Sequence, residues 1–446
     1  SHSTPGRGVL RKASGEAYRI DQDSFAEAKN SELLCRVRKN MLAGEETPDV
    51  CGRCIHEEKM GLRSRRVLEN EKNYFSEEAA RMQTSPNGSL ADFRASLRVL
   101  DLRFGNICNL RCRMCWPGAS SAWYAEWFET RHRGFADGEE KHRLLRASDG
   151  RVHLENNFYD WPKNERLWGE LRACAPLLRE LHFSGGEPLL IEEHFELLQE
   201  LVDAKLAPGI ILDYNTNLTL LPDRLLSLWA EFKRVTIGVS IDGFGEVNDY
   251  IRAPSQFSRI EANLRKLDAS PDNIQAWITT TVQALNIFYF TDLLHWLITS
   301  GFRKLNGIGI EGGRNFFISA HALASPAHLG VKILPREGKA AVENRFTDFI
   351  VWHQNYLSTL ELPQETKDRR ALTVKSCLDG YRNLMHSEDR TDLVPEFWQE
   401  MRASDEYRGQ DIHRTLPLLA HYISPNPLAN PNVRSPPRRD AHPAGV

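Results

Sequence analysis

Short apolar segments alternate with longer amphipathic segments in the middle of the chain. The short segments are rich in Leu, Ile and Val, as is typical of strands that are buried on both faces. Strands are predicted at residues 97–104, 181–184, 210–215, 235–241, 274–282 and 304–310. Strand patterns that alternate with helical patterns indicate βα units that share a parallel sheet.

Most of these strands are followed by apolar residues at helical spacing. Phe195, Leu198 and Leu201 recur at intervals of three after the second predicted strand. About six βα units result, which is fewer than the eight of a closed barrel, so the pattern fits an open doubly wound sheet or a partial barrel. In either fold the chemistry is expected at the carboxyl ends of the strands.

The regions on either side of this core are of mixed helical and loop character, with a clear helical pattern over residues 343–357. The last residues contain six prolines, which predicts a solvated, disordered tail. We therefore expect an N-terminal domain, a core, a segment that closes the core, and a tail. These four parts are predicted at residues 1–95, 96–310, 311–423 and 424–446.

The composition is ordinary for a globular protein, with 41% hydrophobic and 26% charged residues in a chain of 446. No apolar run approaches the roughly 18 residues of a transmembrane helix, and the start lacks the apolar stretch of a secretory signal. These features predict a cytoplasmic protein without a membrane segment. Lys and Arg number 57 against 60 Asp and Glu, so the net charge of -3 argues against phosphate-driven binding of nucleic acids.

Eight cysteines are too few for a disulfide scaffold in a chain of this length. Six of them lie within the first 115 residues at short spacings, which favours metal or cluster ligation in a reducing compartment. Cys108, Cys112 and Cys115 follow the first predicted strand within one loop, so their three thiolates can bind one metal centre. Zinc usually takes four protein ligands, whereas a four-iron cluster held by three cysteines leaves one iron open to a small molecule.

The spacing of Cys108, Cys112 and Cys115 resembles the defining CxxxCxxC motif of the radical S-adenosylmethionine (SAM) superfamily. The residue before the last cysteine is usually aromatic in that family and is Met114 here, which still supplies a hydrophobic wall over the cofactor. The resemblance implies a partial (β/α)6 barrel in which the three cysteines hold a 4Fe-4S cluster. It also implies that SAM binds to the open iron and is cleaved to a 5′-deoxyadenosyl radical.

Further motifs follow the later strands. Gly185, Gly186 and Glu187 come after the second predicted strand, where a Gly-Gly turn before a helix is the plain alternative to a binding site. Their sequence resembles the GGE motif of the superfamily. That resemblance implies that these three residues hold the amino group of SAM.

Polar residues after the third and fourth strands resemble the TNG, SxDG and IR elements of one subgroup. Asn217, Ser240, Asp242 and Arg252 carry this resemblance, although Leu218 stands where the TNG glycine would be. The subgroup contains peptide- and aminocyclitol-modifying enzymes. The resemblance implies that Ser240 lies near the SAM ribose and that Arg252 lies near the SAM carboxylate, which suits a guanidinium.

Cys35, Cys51 and Cys54 form a second group near the start of the chain. A CxxC pair alone fits zinc, redox or cluster roles. The surrounding sequence resembles radical SAM proteins that carry an N-terminal twitch domain, which is half of a SPASM domain. This implies an auxiliary iron–sulfur cluster with three local ligands, while zinc and structural thiols stay open as alternatives.

Together these resemblances imply a radical SAM oxidoreductase that abstracts hydrogen from a peptide side chain or from a sugar- or cyclitol-type small molecule. Oxidation, epimerisation or cross-linking would follow, with flavodoxin or ferredoxin as the reductant. One alternative is a non-catalytic metal-binding scaffold, because fold does not dictate function. Another is a radical SAM enzyme that modifies tRNA.

Overall fold

The computed structural model describes residues 9–20, 22–72, 76–138, 140–156, 158–305 and 318–424. In these residues the strands are β1 (Val99–Arg103), β2 (Gly134–Asp137), β3 (Glu140–Arg146), β4 (Val152–Leu154), β5 (Glu180–Ser184), β6 (Ile211–Thr216), β7 (Arg234–Ser240), β8 (Ile274–Val282) and β9 (Ile318–Ala322). The helices are α1 (Phe25–Lys29), α2 (Glu32–Ala43), α3 (Pro48–Lys59), α4 (Arg65–Glu71), α5 (Glu77–Gln83), α6 (Tyr124–Thr130), α7 (Glu165–Cys174), α8 (Glu192–Asp203), α9 (Asp223–Ala230), α10 (Glu246–Ile251), α11 (Phe257–Asp268), α12 (Phe290–Thr299), α13 (Arg336–Thr359), α14 (Gln364–His386), α15 (Val394–Arg408), α16 (Ile412–Thr415) and α17 (Pro417–Tyr422).

The main sheet of the described chain has six strands in the order β1-β5-β6-β7-β8-β9. Parallel registers include Leu102 opposite Phe183 and Ile278 opposite Ile318. Helices connect the successive strands, as a parallel sheet requires. The predicted α/β class with a parallel sheet is therefore confirmed, and the arrangement is consistent with a partial (β/α)6 barrel.

Five of the six predicted strands occur within two residues of their expected bounds, as β1, β5, β6, β7 and β8. The predicted strand at 304–310 lies outside the described residues from position 306 onward. In the part of the chain that is described, the sixth strand of the sheet is β9, which pairs with β8.

A second, antiparallel sheet of strands β2, β3 and β4 lies between β1 and β5 along the chain. The pattern of apolar and polar residues did not predict this sheet. Only β3 shows alternating burial, with His142 and Leu144 buried among exposed charged positions. Strands β2 and β4 have only four and three residues and β3 is highly charged, so all three give a weak periodic signal, which explains why this sheet was missed.

The described chain divides into two compact units. The first contains residues up to Asn109, Trp116–Gly238 and Ala269–Ala276. Its core includes the stacked rings of Phe104, Trp168 and Phe183. Helices α1 to α5 belong to this unit. The expected four-part division of the chain stays a prediction.

The second unit contains Leu110–Cys115, Val239–Asp268 and the chain from Trp277 onward. Its core is built by β8, β9 and the helices from α12 onward, with Leu293 and Phe346 fully buried. The helix predicted at 343–357 is confirmed within the longer α13. Among the helices of the described residues, none combines the length and apolar composition needed to cross a membrane.

Candidate active site

The loop that leaves β1 is fixed in the first unit by the two glycines of the GGE sequence. A β carbon on Gly186 would lie 2.2 Å from the carbonyl oxygen of Ile107, and Gly185 has a φ of +123°. A residue with a β carbon would clash at position 186 and would be strained at position 185, so both positions require glycine. Further support comes from the Glu187 N–H, which donates to the Ile107 carbonyl at 2.7 Å. The glycines therefore hold the residue that directly precedes Cys108.

The Glu187 carboxylate connects the ends of β5 and β6. It is 2% exposed and accepts hydrogen bonds from the Leu189 N–H at 3.1 Å, the Thr216 hydroxyl at 2.7 Å and the Asn217 N–H at 2.7 Å. A carboxylate offers about four acceptor sites, so at least three of them serve the protein itself. The expected contact of Glu187 with the SAM amino group stays a prediction.

Asn217 links the loop after β6 to the first cysteine. Its side-chain amide donates to Asn109 Oδ1 at 2.9 Å and to Cys108 Sγ at 3.9 Å. Its Oδ1 accepts from both the backbone N–H and the hydroxyl of Thr219. The next residue, Leu218, is fully buried with a φ of +52°. Leucine thus adopts here, at the position of the TNG glycine, a left-handed conformation that favours glycine.

In the second unit, Arg252 joins the second cysteine to Asp242. The Arg252 guanidinium donates to Cys112 Sγ at 3.9 Å, and its Nε lies 2.7 Å from Asp242 Oδ2. Asp242 Oδ1 also accepts the Thr281 N–H at 2.7 Å. Both charged side chains are buried, so each depends on the other for electrostatic compensation.

Burial and charge act against each other at this pair. Burial raises the pKa of Asp242, while Arg252 and the Thr281 N–H lower it. Burial lowers the pKa of Arg252, but Asp242 and the thiols of Cys112 and Cys115 raise it above its ordinary value. The Cys115 thiol and burial raise the pKa of Cys112, whereas Arg252 acts to lower it. Arg252 is therefore a buried cation beside the cysteine loop.

The donors around the cysteines fit an iron–sulfur cluster. Iron is bound by deprotonated thiolates, and hydrogen bonds to sulfur and nearby positive charge tune such a cluster. Cys108 receives an amide donor from Asn217, and Cys112 receives the cation of Arg252. No three Cys, His, Asp or Glu side chains of the described residues converge in a metal-binding arrangement. Joint ligation by Cys108, Cys112 and Cys115 therefore stays a prediction.

Two other predicted cofactor-binding residues lie near these groups in the sequence. Met114 is half-buried in the cysteine loop, and Ser240 is half-buried at the end of β7. Their contacts with SAM stay predictions. Asn109 contacts Asn217, and Thr216 contacts Glu187, yet neither was among the predicted site residues. The only local signal was their position next to a cysteine and at a strand end.

The N-terminal cysteines lie on two helices. Cys35 on α2 donates to the Asn30 carbonyl at 3.4 Å and accepts from Arg38 at 3.5 Å. Cys51 and Cys54 lie one turn apart on α3. Throughout the described ranges these three thiols form no metal-binding group of three. An auxiliary cluster or zinc site stays a prediction.

These features define a class of α/β protein. A three-cysteine loop follows the first strand of its parallel sheet, and polar loops follow the next three strands. Residues 102–281 match the family model of the radical SAM superfamily. This part of the chain is a radical SAM domain.

Similarity to individual proteins is more remote. An uncharacterized protein of Methanothermobacter thermautotrophicus is 38% identical over 81 residues, which are 17% of this chain and 30% of that protein. The solved structure of native anSMEcpe with bound AdoMet is 17% identical, with a TM-score of 0.36, over 59% of this chain and 62% of that chain. Streptococcus suis SuiB bound to precursor peptide SuiA is 12% identical, with a TM-score of 0.33, over 72% and 64% of the two chains. The chain thus spans less than two thirds of the length of each of these proteins.

Proposed function

We propose that this protein is a radical SAM enzyme that uses a 4Fe-4S cluster bound by Cys108, Cys112 and Cys115. The observation that carries the proposal is the CxxxCxxC loop at the end of β1, inside a segment that matches the radical SAM family model. Three cysteines within eight residues of one another can bind one four-iron cluster and leave one iron open. The side chain of Asn217 donates an N–H to the Cys108 sulfur, and Arg252 donates one to the Cys112 sulfur.

A bound cluster would supply one electron to SAM and so generate the 5′-deoxyadenosyl radical that removes hydrogen from the substrate. The residues of the chain bind, orient and shield these groups. Glu187 and the Gly185–Gly186 backbone are proposed to receive the amino group of SAM. Arg252 is proposed to bind its carboxylate, and Ser240 to approach its ribose. Exclusion of water by the surrounding apolar residues would protect the radical from side reactions.

We further propose that the substrate is a peptide side chain or a sugar- or cyclitol-type small molecule. The support is the order of the Asn217, Ser240–Asp242 and Arg252 motifs, which resembles one subgroup of the family. Flavodoxin or ferredoxin is the proposed source of the electron. Cys35, Cys51 and Cys54 are proposed to hold an auxiliary iron–sulfur cluster or zinc.

The test combines metal analysis with product analysis. The wild type, a Cys108/Cys112/Cys115→Ala triple variant and a Cys377→Ala control are reconstituted anaerobically with iron and sulfide. Each is then incubated with SAM and dithionite. Cys377 is a matched control because it is a half-buried thiol far from the loop in sequence, with a pKa that burial raises to about 11.

We expect the triple variant to lose about four irons per chain and all 5′-deoxyadenosine formation, by the four-iron count. The Cys377→Ala variant should retain both. About four irons remaining in the triple variant would support a second cluster at the N-terminal cysteines. A triple variant that loses no iron would contradict the proposed ligands. A wild type that binds four irons but forms no 5′-deoxyadenosine would favour the metal-binding scaffold.

A further inference from the structure

Arg113 lies inside the cysteine loop, between Cys112 and Met114, and is only 1% exposed. A buried guanidinium requires a partner for its charge and for its N–H groups. Other residues of the second unit, to which Arg113 itself belongs, supply the charge partner and the acceptors. Its contacts are Nε to the Tyr250 carbonyl at 3.1 Å, Nη1 to Met401 Sδ at 3.4 Å, Nη2 to Asp405 Oδ1 at 2.5 Å, and Nη2 to Gln410 Oε1 at 2.9 Å.

Asp405 is the centre of this network. Its Oδ1 also accepts the Tyr250 hydroxyl at 2.9 Å, and its Oδ2 accepts the Ile412 N–H at 2.8 Å. The guanidinium carbon of Arg113 lies 3.7 Å from the centroid of the Tyr250 ring, so a cation–π contact adds to the ion pair. Asp405 belongs to α15, and therefore this helix anchors the cysteine loop.

The backbone next to the anchor is also fixed. The N–H groups of Arg111 and Arg113 donate to the carbonyls of Ala253 and Ile251, at 2.7 and 2.8 Å. These two bonds flank Cys112 on one segment and Arg252 on the other. A further bond from the Cys115 N–H to the Cys112 carbonyl, at 2.8 Å, closes the turn between the two cysteines.

From this geometry we propose that Arg113 is a positioning residue. Its buried ion pair with Asp405 holds the Cys112–Cys115 turn, together with Arg252, in the conformation that binds the cluster. This inference rests on the proposed function. The ion pair neutralises the Arg113 charge, so it also sets the electrostatic environment of the cluster, whose potential depends on nearby charge.

The test measures iron retention, the EPR spectrum and the midpoint potential of the reconstituted cluster. Asp405→Asn should lower the iron retained during anaerobic gel filtration several-fold and shift the midpoint potential to a more positive value. The reason for the shift is that an uncompensated buried cation stabilises the reduced, more negative cluster. Arg113→Met should also lose iron several-fold, but without that positive shift. Arg113→Lys keeps the charge and should recover part of the iron.

The matched control is Arg345→Met, which removes a side chain that forms an ion pair with Asp292 between α13 and α12 at 2.8 Å. It should retain wild-type iron, EPR spectrum and potential. Circular dichroism and melting temperatures of the metal-free chains identify variants that fail to fold. If Asp405→Asn fails to fold, Tyr250→Phe replaces it, because this change keeps the ring and removes only the hydroxyl, which donates to Asp405 at 2.9 Å and to Met401 Sδ at 3.9 Å. We expect this milder variant to retain intermediate amounts of iron with an altered EPR spectrum.

Folded variants with wild-type iron retention, EPR spectrum and potential would overturn the inference. So would an Arg345→Met control that changes these properties as strongly as the Arg113 and Asp405 variants do. Failure of the proposed function gives a different result, because the wild type itself would then form no four-iron cluster or would make no 5′-deoxyadenosine.

Discussion

The Arg252 guanidinium and the Asp242 carboxylate form a buried ion pair in which Nε and Oδ2 are 2.7 Å apart. Removing one partner of such a pair leaves an uncompensated charge in the interior, which costs about 3–5 kcal/mol. Asp242→Asn should therefore lower the free energy of unfolding of the metal-free protein by about this amount. Urea denaturation followed by circular dichroism measures it.

The control for this prediction is Glu261→Gln. Glu261 pairs with Arg265 one turn away on the surface of α11, so its loss should change the stability by about 1 kcal/mol or less. An Asp242→Asn variant as stable as Glu261→Gln would show that the buried pair is dispensable.

Gly186→Ala should destabilise the first unit at Ile107, next to Cys108. The added β carbon would lie 2.2 Å from the Ile107 carbonyl oxygen, so the backbone must move, at a cost of about 1–3 kcal/mol. Gly169→Ala on α7 is the matched control, because in the described structure a β carbon there meets no atom within 4 Å. In a helix this control should gain about 0.5–1 kcal/mol. Equal stability changes at the two positions, measured by thermal unfolding, would contradict the expected close contact.

Leu218 and Lys205 both have positive φ, of 52° and 59°, but they differ in burial. Lys205 is exposed, so Lys205→Gly should relieve the left-handed strain and stabilise the protein by about 1 kcal/mol. Leu218 is fully buried, so Leu218→Gly should lose about 2–5 kcal/mol of packing free energy. This loss is larger than the stabilisation expected from relief of the left-handed strain. Opposite signs of the two changes in unfolding free energy are expected, and a stabilised Leu218→Gly variant would be inconsistent with this packing.

Burial lowers the pKa of His194 to about 3, and its Nε2 lies 2.6 Å from the Tyr214 hydroxyl. The unfolded chain takes up this proton near pH 6.5, whereas the folded chain takes it up only near its lowered pKa. The stability contributed by neutral His194 is therefore complete above pH 6.5 and is lost as the pH falls toward 3. Between pH 7 and pH 5 the loss should be about 2 kcal/mol, from about 1.36 kcal/mol per pKa unit.

Urea titrations at pH 7 and pH 5 check this dependence. His194→Gln should reduce the difference between the two values. An unchanged pH dependence in His194→Gln would assign the effect to other groups.

The parallel sheet could be predicted because its strands are apolar runs separated by amphipathic helices. Leu181, Leu212 and Ile237 are fully buried at the positions that this pattern marks. The cysteine, glycine and polar motifs were found for a different reason, since each is a short local sequence. Leu218 shows the limit of motif comparison, because the backbone has the positive φ that favours glycine although the residue is leucine.

The remaining features depend on partners that are distant along the chain. Arg113 looks in sequence like any charged residue between two cysteines, and only the fold brings Asp405 to it. Glu187 looks like a ligand-binding carboxylate, and only the fold shows its hydrogen bonds with Leu189, Thr216 and Asn217. No periodicity or spacing reports such pairings, because they arise from tertiary packing.

The Arg113–Asp405 pair also has a consequence for synthesis of the protein on the ribosome. Asp405 is translated 292 residues after Arg113, which at about 5–20 residues per second is a delay of roughly 15–60 s. During that interval Arg113 lacks its Asp405 partner, so the cysteine loop has no α15 to hold it. The proposed cluster would therefore find its anchored loop only after the C-terminal helices have left the ribosome.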